Sequence, residues 1–166
     1  AQLNNLTYPE NNSPTFTNKP VPFICLGQNF CFNHGARDAD GDSLAYSLIT
    51  PLTTKGVTVN YLFGYSAISP LKTNTQMSFD AETGSFCVTP SKVEITIMAV
   101  KVDEFRNGQK IGSVIRDMQV IVRSCSNELP NIDGINGTNI YVDTICAYQP
   151  YCFDINSIDL DISQDV

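Results

Sequence analysis

The sequence predicts an all-β protein: a Greek-key β-sandwich followed by the start of a second tandem module. Three observations lead there. Short runs rich in β-branched and aromatic residues alternate with Gly, Pro, Asn and Asp turn signals along most of the chain. Asn107-Gly108 sits between the two longest runs, where a type I′ hairpin turn needs two residues that tolerate positive φ. No segment shows the periodicity of an amphipathic helix.

Residues 1–12 are polar and Asn-rich and read as a linker or a first edge strand. Order is expected from Pro14 onward. Strand runs follow at 21–25, 30–32, 43–49, 77–79, 85–89, 94–102 and 111–122. Pro20, Pro22, Pro51, Pro70 and Pro90 fall at run edges, where the missing N–H costs little. In the last two runs Ile95, Ile97 and Ala99, then Val114, Met118, Val120 and Val122, are expected to line one face. Arg116 interrupts that alternation and suggests a bulge or a strand change. The turn at Asn107-Gly108 should join these two strands.

An internal repeat sets the domain plan. Cys25, Cys31, Asp38 and Asp40 recur as Cys146, Cys152, Asp159 and Asp161, each 121 residues later (146 − 25 = 121). The expected organisation is a complete sandwich over 13–125, a linker over 126–133 and a partial second copy over 134–166. The chain is expected to be a segment of something longer, because the second copy holds only the opening of the module. Tandem modules usually bind, span or display rather than catalyse.

Composition narrows the function. The chain of 166 residues is 42% hydrophobic and 16% charged, with a formal charge of −7. An acidic chain lacks the basic patch that nucleic acid requires, and divalent cations suit it better. No run approaches the about 18–20 apolar residues of a membrane span, so no membrane insertion is expected. The six cysteines lie in strand-like surroundings rather than C-x-x-C pairs, which favours disulfides and an oxidising compartment. The one histidine, His34, has no nucleophile setting and no second histidine for a metal. It is expected to make a local hydrogen bond at a strand end. Casting Asp38 with Asp103 or Asp117 as a glycosidase carboxylate pair is disfavoured, because the repeat carries the Asp pair twice. The chain is therefore expected not to be an enzyme.

The sharpest constellation is Asp38-Ala39-Asp40-Gly41-Asp42 ahead of Ser43-Leu44-Ala45-Tyr46-Ser47-Leu48. Acids on alternate residues around a glycine can gather hard oxygens about one Ca²⁺. It is not an EF-hand loop, since Ser43 and Ile49 stand where that loop needs Gly and Glu. A solvated acidic turn is the plain alternative. The segment resembles the calcium-contacting start of a cadherin-like repeat, in which a D-x-D pair precedes a strand ending in Y-S-L. Met98 through Asp103-Glu104 resembles the later strand whose terminal Asp joins the same calcium cluster. Glu10-Asn11-Asn12-Ser13-Pro14 and Asn127-Glu128-Leu129-Pro130 resemble inter-repeat linkers. The resemblance implies Ca²⁺ at Asp38, Asp40, Asp42 and Asp103. A weaker second site would join Asp80 and Glu82 to Asp159 and Asp161.

More narrowly, the run from Ser13-Pro14 through Asp-Ala-Asp-Gly-Asp-Ser-Leu and Glu-Phe-Arg-Asn-Gly-Gln-Lys-Ile-Gly-Ser to Arg-Asp-Met-Gln-Val is similar to repeats of large exported Bacteroidetes surface proteins. Gliding-motility adhesins and other cargo of type IX secretion are among them. This implies an extracellular, cell-surface spacer or adhesive unit. Its partners would be neighbouring repeats of the same chain, surface glycans or other surface proteins, or a second copy by self-association. A carbohydrate-binding module of a secreted enzyme and a structural filament subunit are the competing functions.

Three further expectations complete the reading. If 21–25 runs parallel to the last strand, Cys25 pairs with Cys125 and Cys31 with Cys87, leaving Cys146 and Cys152 with partners beyond Val166; Cys25–Cys31 with Cys146–Cys152 is the competing pattern. Tyr61, Phe63 and Tyr65 alternate and form either one core face or a glycan platform, with core the commoner fate. Asp143-Thr144-Ile145 and Asp42-Ser43-Leu44 resemble the O-glycosylation sequence of exported Bacteroidetes proteins, marking Thr144 and Ser43. Asn5, Asn11 and Asn136 lie in N-x-[ST] sequons, which matter only in a eukaryotic secretory setting.

Overall fold

The computed structural model describes residues 2–4, 7–21, 23–127, 130–159 and 161. Two compact units divide the chain, Ala1–Ser124 and Cys125–Val166. The first is an all-β sandwich. Its strands are β1 (Gln2–Leu3), β2 (Thr15–Phe16), β3 (Phe23–Cys25), β4 (Phe30–Asn33), β5 (Ala36–Arg37), β6 (Ser43–Ile49), β7 (Leu52–Thr54), β8 (Val57–Thr58), β9 (Ser78–Phe79), β10 (Ser85–Val88), β11 (Ile95–Arg106) and β12 (Gln109–Arg123).

The β11–β12 hairpin is the spine of this unit. Asn107 and Gly108 adopt φ of 53° and 75°, as a type I′ turn requires, and Arg106 faces Gln109 across it. β6 pairs antiparallel with the other edge of β11. The outer edge of β12 is shared: β1 pairs antiparallel at Gly112 and Ser113, and β3 pairs parallel at Ile121 through Arg123. The second layer is β9–β10–β4, with β10 central and Cys87 directly opposite Cys31. Two short ribbons, β2 with β5 and β7 with β8, complete the unit.

The core corrects the expected facing of β11. The register pairs Met98 with Met118 and Val102 with Val114, and cross-strand partners share a face. Met98 is buried with Met118, Val120, Val122 and Ile24 against Phe86 and Val88, while Val100 and Val102 pack in a neighbouring cluster with Tyr46. Ile95 and Ile97 lie on the opposite, outer face and are 66% and 46% exposed, while Ala99 is buried there. The run Ile95-Thr96-Ile97-Met98-Ala99-Val100 is apolar at both parities, so alternation alone does not decide the face. β12 also runs unbroken past Arg116; the register shift lies between Glu104 and Phe105. Arg116 stays on the inward side because its guanidinium stacks on the Phe16 ring, 4.7 Å from the centroid.

His34 is fully buried among Phe16, Phe32 and Phe86, and neither ring nitrogen has a hydrogen-bond partner among the described residues. It is a core aromatic, contrary to the expectation of a locally bonded strand-end histidine. Tyr46 is buried too, and its hydroxyl donates to the Ala36 carbonyl at 3.4 Å.

The second unit contains β13 (Asn131–Ile132) paired antiparallel with β14 (Ser157–Ile158), and a 3-10 turn at Ile135–Gly137. Its segments matching β3 and β4 are not strands, and Ile145, Tyr148 and Phe153 are exposed. Among the described residues no helix is long and apolar enough to cross a membrane.

Candidate metal centre

Two strand pairings assemble the acidic centre. Thr15 faces Arg37 in the antiparallel β2–β5 ribbon, so the residues before β2 come beside those after β5. Phe105 faces Ser43 in the β6–β11 pair, so the end of β11 comes beside the start of β6. Asn11 and Asn12, Asp38 through Asp42, and Glu104 with Arg106 therefore meet at one end of the sandwich.

The loop is shaped by its first acid. Asp38 Oδ1 accepts the backbone N–H groups of Asp40 at 2.9 Å and Asp42 at 3.0 Å, while Gly41, at φ 82°, lets the chain curl. The carboxylates of Asp38, Asp40 and Asp42 offer oxygens within 4.8 Å of one another. Asp40 accepts from the Asn12 backbone N–H at 2.7 Å and its side-chain amide at 3.0 Å, bonds that hold its carboxyl below the usual range. Arg106 grips Asp42 with two bonds, at 2.7 and 2.5 Å, and lies 3.5 Å from Asp40. That grip likewise holds Asp42 low.

Glu104 is the unusual member. It is fully buried; Oε1 accepts from the Asn11 side-chain amide at 2.6 Å, and Oε2 has no partner among the described residues. Burial, with Asp38 and Asp42 adding negative charge nearby, pushes its carboxyl up. Asp38 Oδ2 is buried and unpartnered as well. An orphaned oxygen on Asp38 and another on Glu104, beside the grouped carboxylates of Asp38, Asp40 and Asp42, are the donor type that a hard divalent cation takes. Asp38 and Glu104 would supply those oxygens. Asp40 and Asp42 can join if Arg106 releases them.

Asp103 is not brought to this centre. It alternates with the buried Val102 and Glu104, so it faces outward, 3.0 Å from Lys101 Nζ and 2.6 Å from Lys110 Nζ. Glu104, its neighbour, is the one on the inward face, bonded to Asn11. The adjacent Asp-Glu pair was visible in the sequence, but only the parity of the core face selects between them.

The expected second site draws on both units, with Asp80 and Glu82 in one and Asp159 and Asp161 in the other. Asp80 Oδ1 caps its own turn, accepting from the N–H groups of Glu82 at 2.8 Å and Thr83 at 3.1 Å. In the other unit Asp159 Oδ1 accepts the Asp161 N–H at 2.9 Å, the same loop-closing bond that Asp38 makes to Asp40. The repeated acids thus repeat their local geometry.

No family model matches the chain, and no curated protein matches it. Among solved structures, a nucleoside hydrolase-related hypothetical protein from Saccharophagus degradans, described as associated with carbohydrate metabolism, aligns at 18% identity and a TM-score of 0.41. The alignment covers 68% of this chain and 26% of that one, so the chain spans about a quarter of that protein. A likeness of that degree carries no argument about function.

The remaining candidates are placed as follows. Cys31 and Cys87 are bridged, with Cα atoms 4.1 Å apart, which excludes a Cys25–Cys31 bond. Cys25 and Cys125 are also disulfide-bonded, and Cys146 and Cys152 are exposed thiols. Such oxidation belongs to an oxidising compartment. Ser43 and Thr144 are both exposed, as is Asn136; Asn11 is half-buried, and Asn5 lies outside the described residues. Phe63 is fully exposed, while Tyr61 and Tyr65 are half-buried on the outer side of the main sheet. None of the three joins the sandwich core.

Proposed function

We propose that this chain is a non-catalytic, extracellular repeat module of a large cell-surface protein, in which Ca²⁺ stiffens one end of a disulfide-stapled β-sandwich. The observation that carries the reading is the convergence of Asp40 and the buried Glu104 on Asn12 and Asn11, beside Asp38 and Asp42, with one carboxylate oxygen of Asp38 and one of Glu104 left unpartnered. A cation held there ties the segment before β2, the β5–β6 loop and the end of β11 into one rigid corner. Modules whose corners are fixed keep a set orientation and transmit load, which suits a spacer or adhesive unit. The internal repeat and the cross-strand disulfide support the same reading.

Isothermal titration of the metal-stripped protein with Ca²⁺ tests it. Binding at one site, lost in Asp38→Ala and retained in Asp103→Ala, is expected. No heat beyond dilution, or equal loss in both variants, contradicts it.

A further inference from the structure

The outer face of the main sheet carries a second site, independent of the metal centre. Loop residues 59–65 stand beside the N-terminal half of β11 and enclose a cleft of about 440 Å³. Its floor includes Ile95 and Ile97, left exposed by the strand's parity, and its walls include the rings of Tyr61 and Tyr65. Small-ligand sites typically measure about 300–1,000 Å³.

The loop is fastened in place rather than loosely draped. Glu94 accepts the Tyr65 hydroxyl at 2.5 Å and the Lys72 backbone N–H at 2.6 Å, and Thr96 donates to the Pro70 carbonyl at 2.5 Å. Lys72 Nζ lies 4.6 Å from the Tyr65 ring centroid. Yet the hydroxyl of Tyr61, which lines the cleft, is buried with no partner among the described residues. A buried hydroxyl without a partner is destabilising unless something else supplies the hydrogen bond. Asn60 and Gln119 bring two more hydrogen-bonding groups to the same cleft.

We infer that this cleft binds a sugar unit of a neutral hexose glycan. A pyranose ring has an apolar C–H face to cover Ile95 and Ile97 or stack on a tyrosine, and hydroxyls for Tyr61, Asn60 and Gln119. An ionic ligand fits less well, because Lys92 and Glu94 already face each other at 3.7 Å and both bond the Tyr65 hydroxyl. An extended peptide fits less well too, since the cleft lies on a sheet face and offers no open strand edge for main-chain pairing.

Amide chemical-shift mapping of the whole chain with millimolar gluco-, manno- and galacto-oligosaccharides tests the inference. Shifts centred on residues 59–65, 94–97 and Gln119 with at least one of them are expected. Tyr61→Phe, which keeps the ring, and Asn60→Ala, at an exposed polar position lining the cleft, should each weaken that binding by about fivefold or more. No shift with any of the three classes overturns the inference. Shifts centred elsewhere, affinity unchanged in both variants, or capture of an apolar peptide in place of the saccharides overturn it as well.

Discussion

The side-chain amide of Asn11 donates to the buried carboxylate of Glu104 at 2.6 Å, joining the polar segment before β2 to the end of β11 across 93 residues of sequence. That bond satisfies one oxygen of Glu104 and leaves the other unpartnered among the described residues. The centre is therefore strained toward either a proton or a metal ion.

Replacing Glu104 by Gln separates those two alternatives. Its folded carboxyl is raised, chiefly by burial, so folding disfavours the ionised form and stability falls as pH climbs from about 4.3 through the folded value. In chelator, Glu104→Gln should remove that loss and gain on the order of 1 kcal/mol at neutral pH. The same variant should lose the stabilisation that Ca²⁺ provides. Urea unfolding across pH, with and without Ca²⁺, measures both effects.

His34 predicts a second pH dependence of opposite sign. Burial, aided by the charge of Arg116, lowers its pKa from 6.5 to about 4, so the unfolded chain takes up the proton first on acidification. Its contribution is fully present above about 6.5 and is lost as pH falls toward 4, amounting to roughly 3 kcal/mol at most. His34→Phe should flatten this limb of the stability profile. An unchanged slope would show that the imidazole is not held neutral.

Gly84 should tolerate no side chain. It sits at φ 70°, and a Cβ built on it would run into the ring of Tyr46. Gly84→Ala is expected to cost about 1–3 kcal/mol, combining strain in the left-handed region with overpacking. Tyr46→Leu in the same background should recover part of that loss, as a double-mutant cycle by chemical unfolding would reveal.

The Cys31–Cys87 bridge closes a loop across a sequence separation of 56 between adjacent strands of the second layer. Cys31→Ser/Cys87→Ser should lower stability by about 2–5 kcal/mol, and reductant should cost the unsubstituted protein at least as much, because it also reduces Cys25 and Cys125. Unchanged unfolding under reduction contradicts the assignment.

Local signals in the sequence carried much of this architecture. The Asn107-Gly108 turn and the strand at 43–49 follow from turn chemistry and β-propensity, and the parallel pairing of 23–25 with the last strand, which the sequence alone only supposes, is present. The facing of β11 did not follow, because its apolar run satisfies both parities, and with it went the choice between Asp103 and Glu104. The ribbons at 15–16 with 36–37 and 52–54 with 57–58 are too short to stand out against turn-rich sequence. The second copy shows the same limit. β3 and β4 are strands because β12 and β10 pair with them, and the matching residues in the second unit, though alike in sequence, are not strands.

The most direct measurement of the central claim is the thermal midpoint in EDTA and in millimolar Ca²⁺, with disulfides intact, for the unsubstituted chain, Asp38→Ala/Asp40→Ala and Asp103→Ala. A ligand that binds only the folded state raises the midpoint. The account predicts a Ca²⁺-dependent rise that the double substitution abolishes and Asp103→Ala preserves. A midpoint indifferent to Ca²⁺ would contradict it and reduce the acidic centre to a turn neutralised by Arg106.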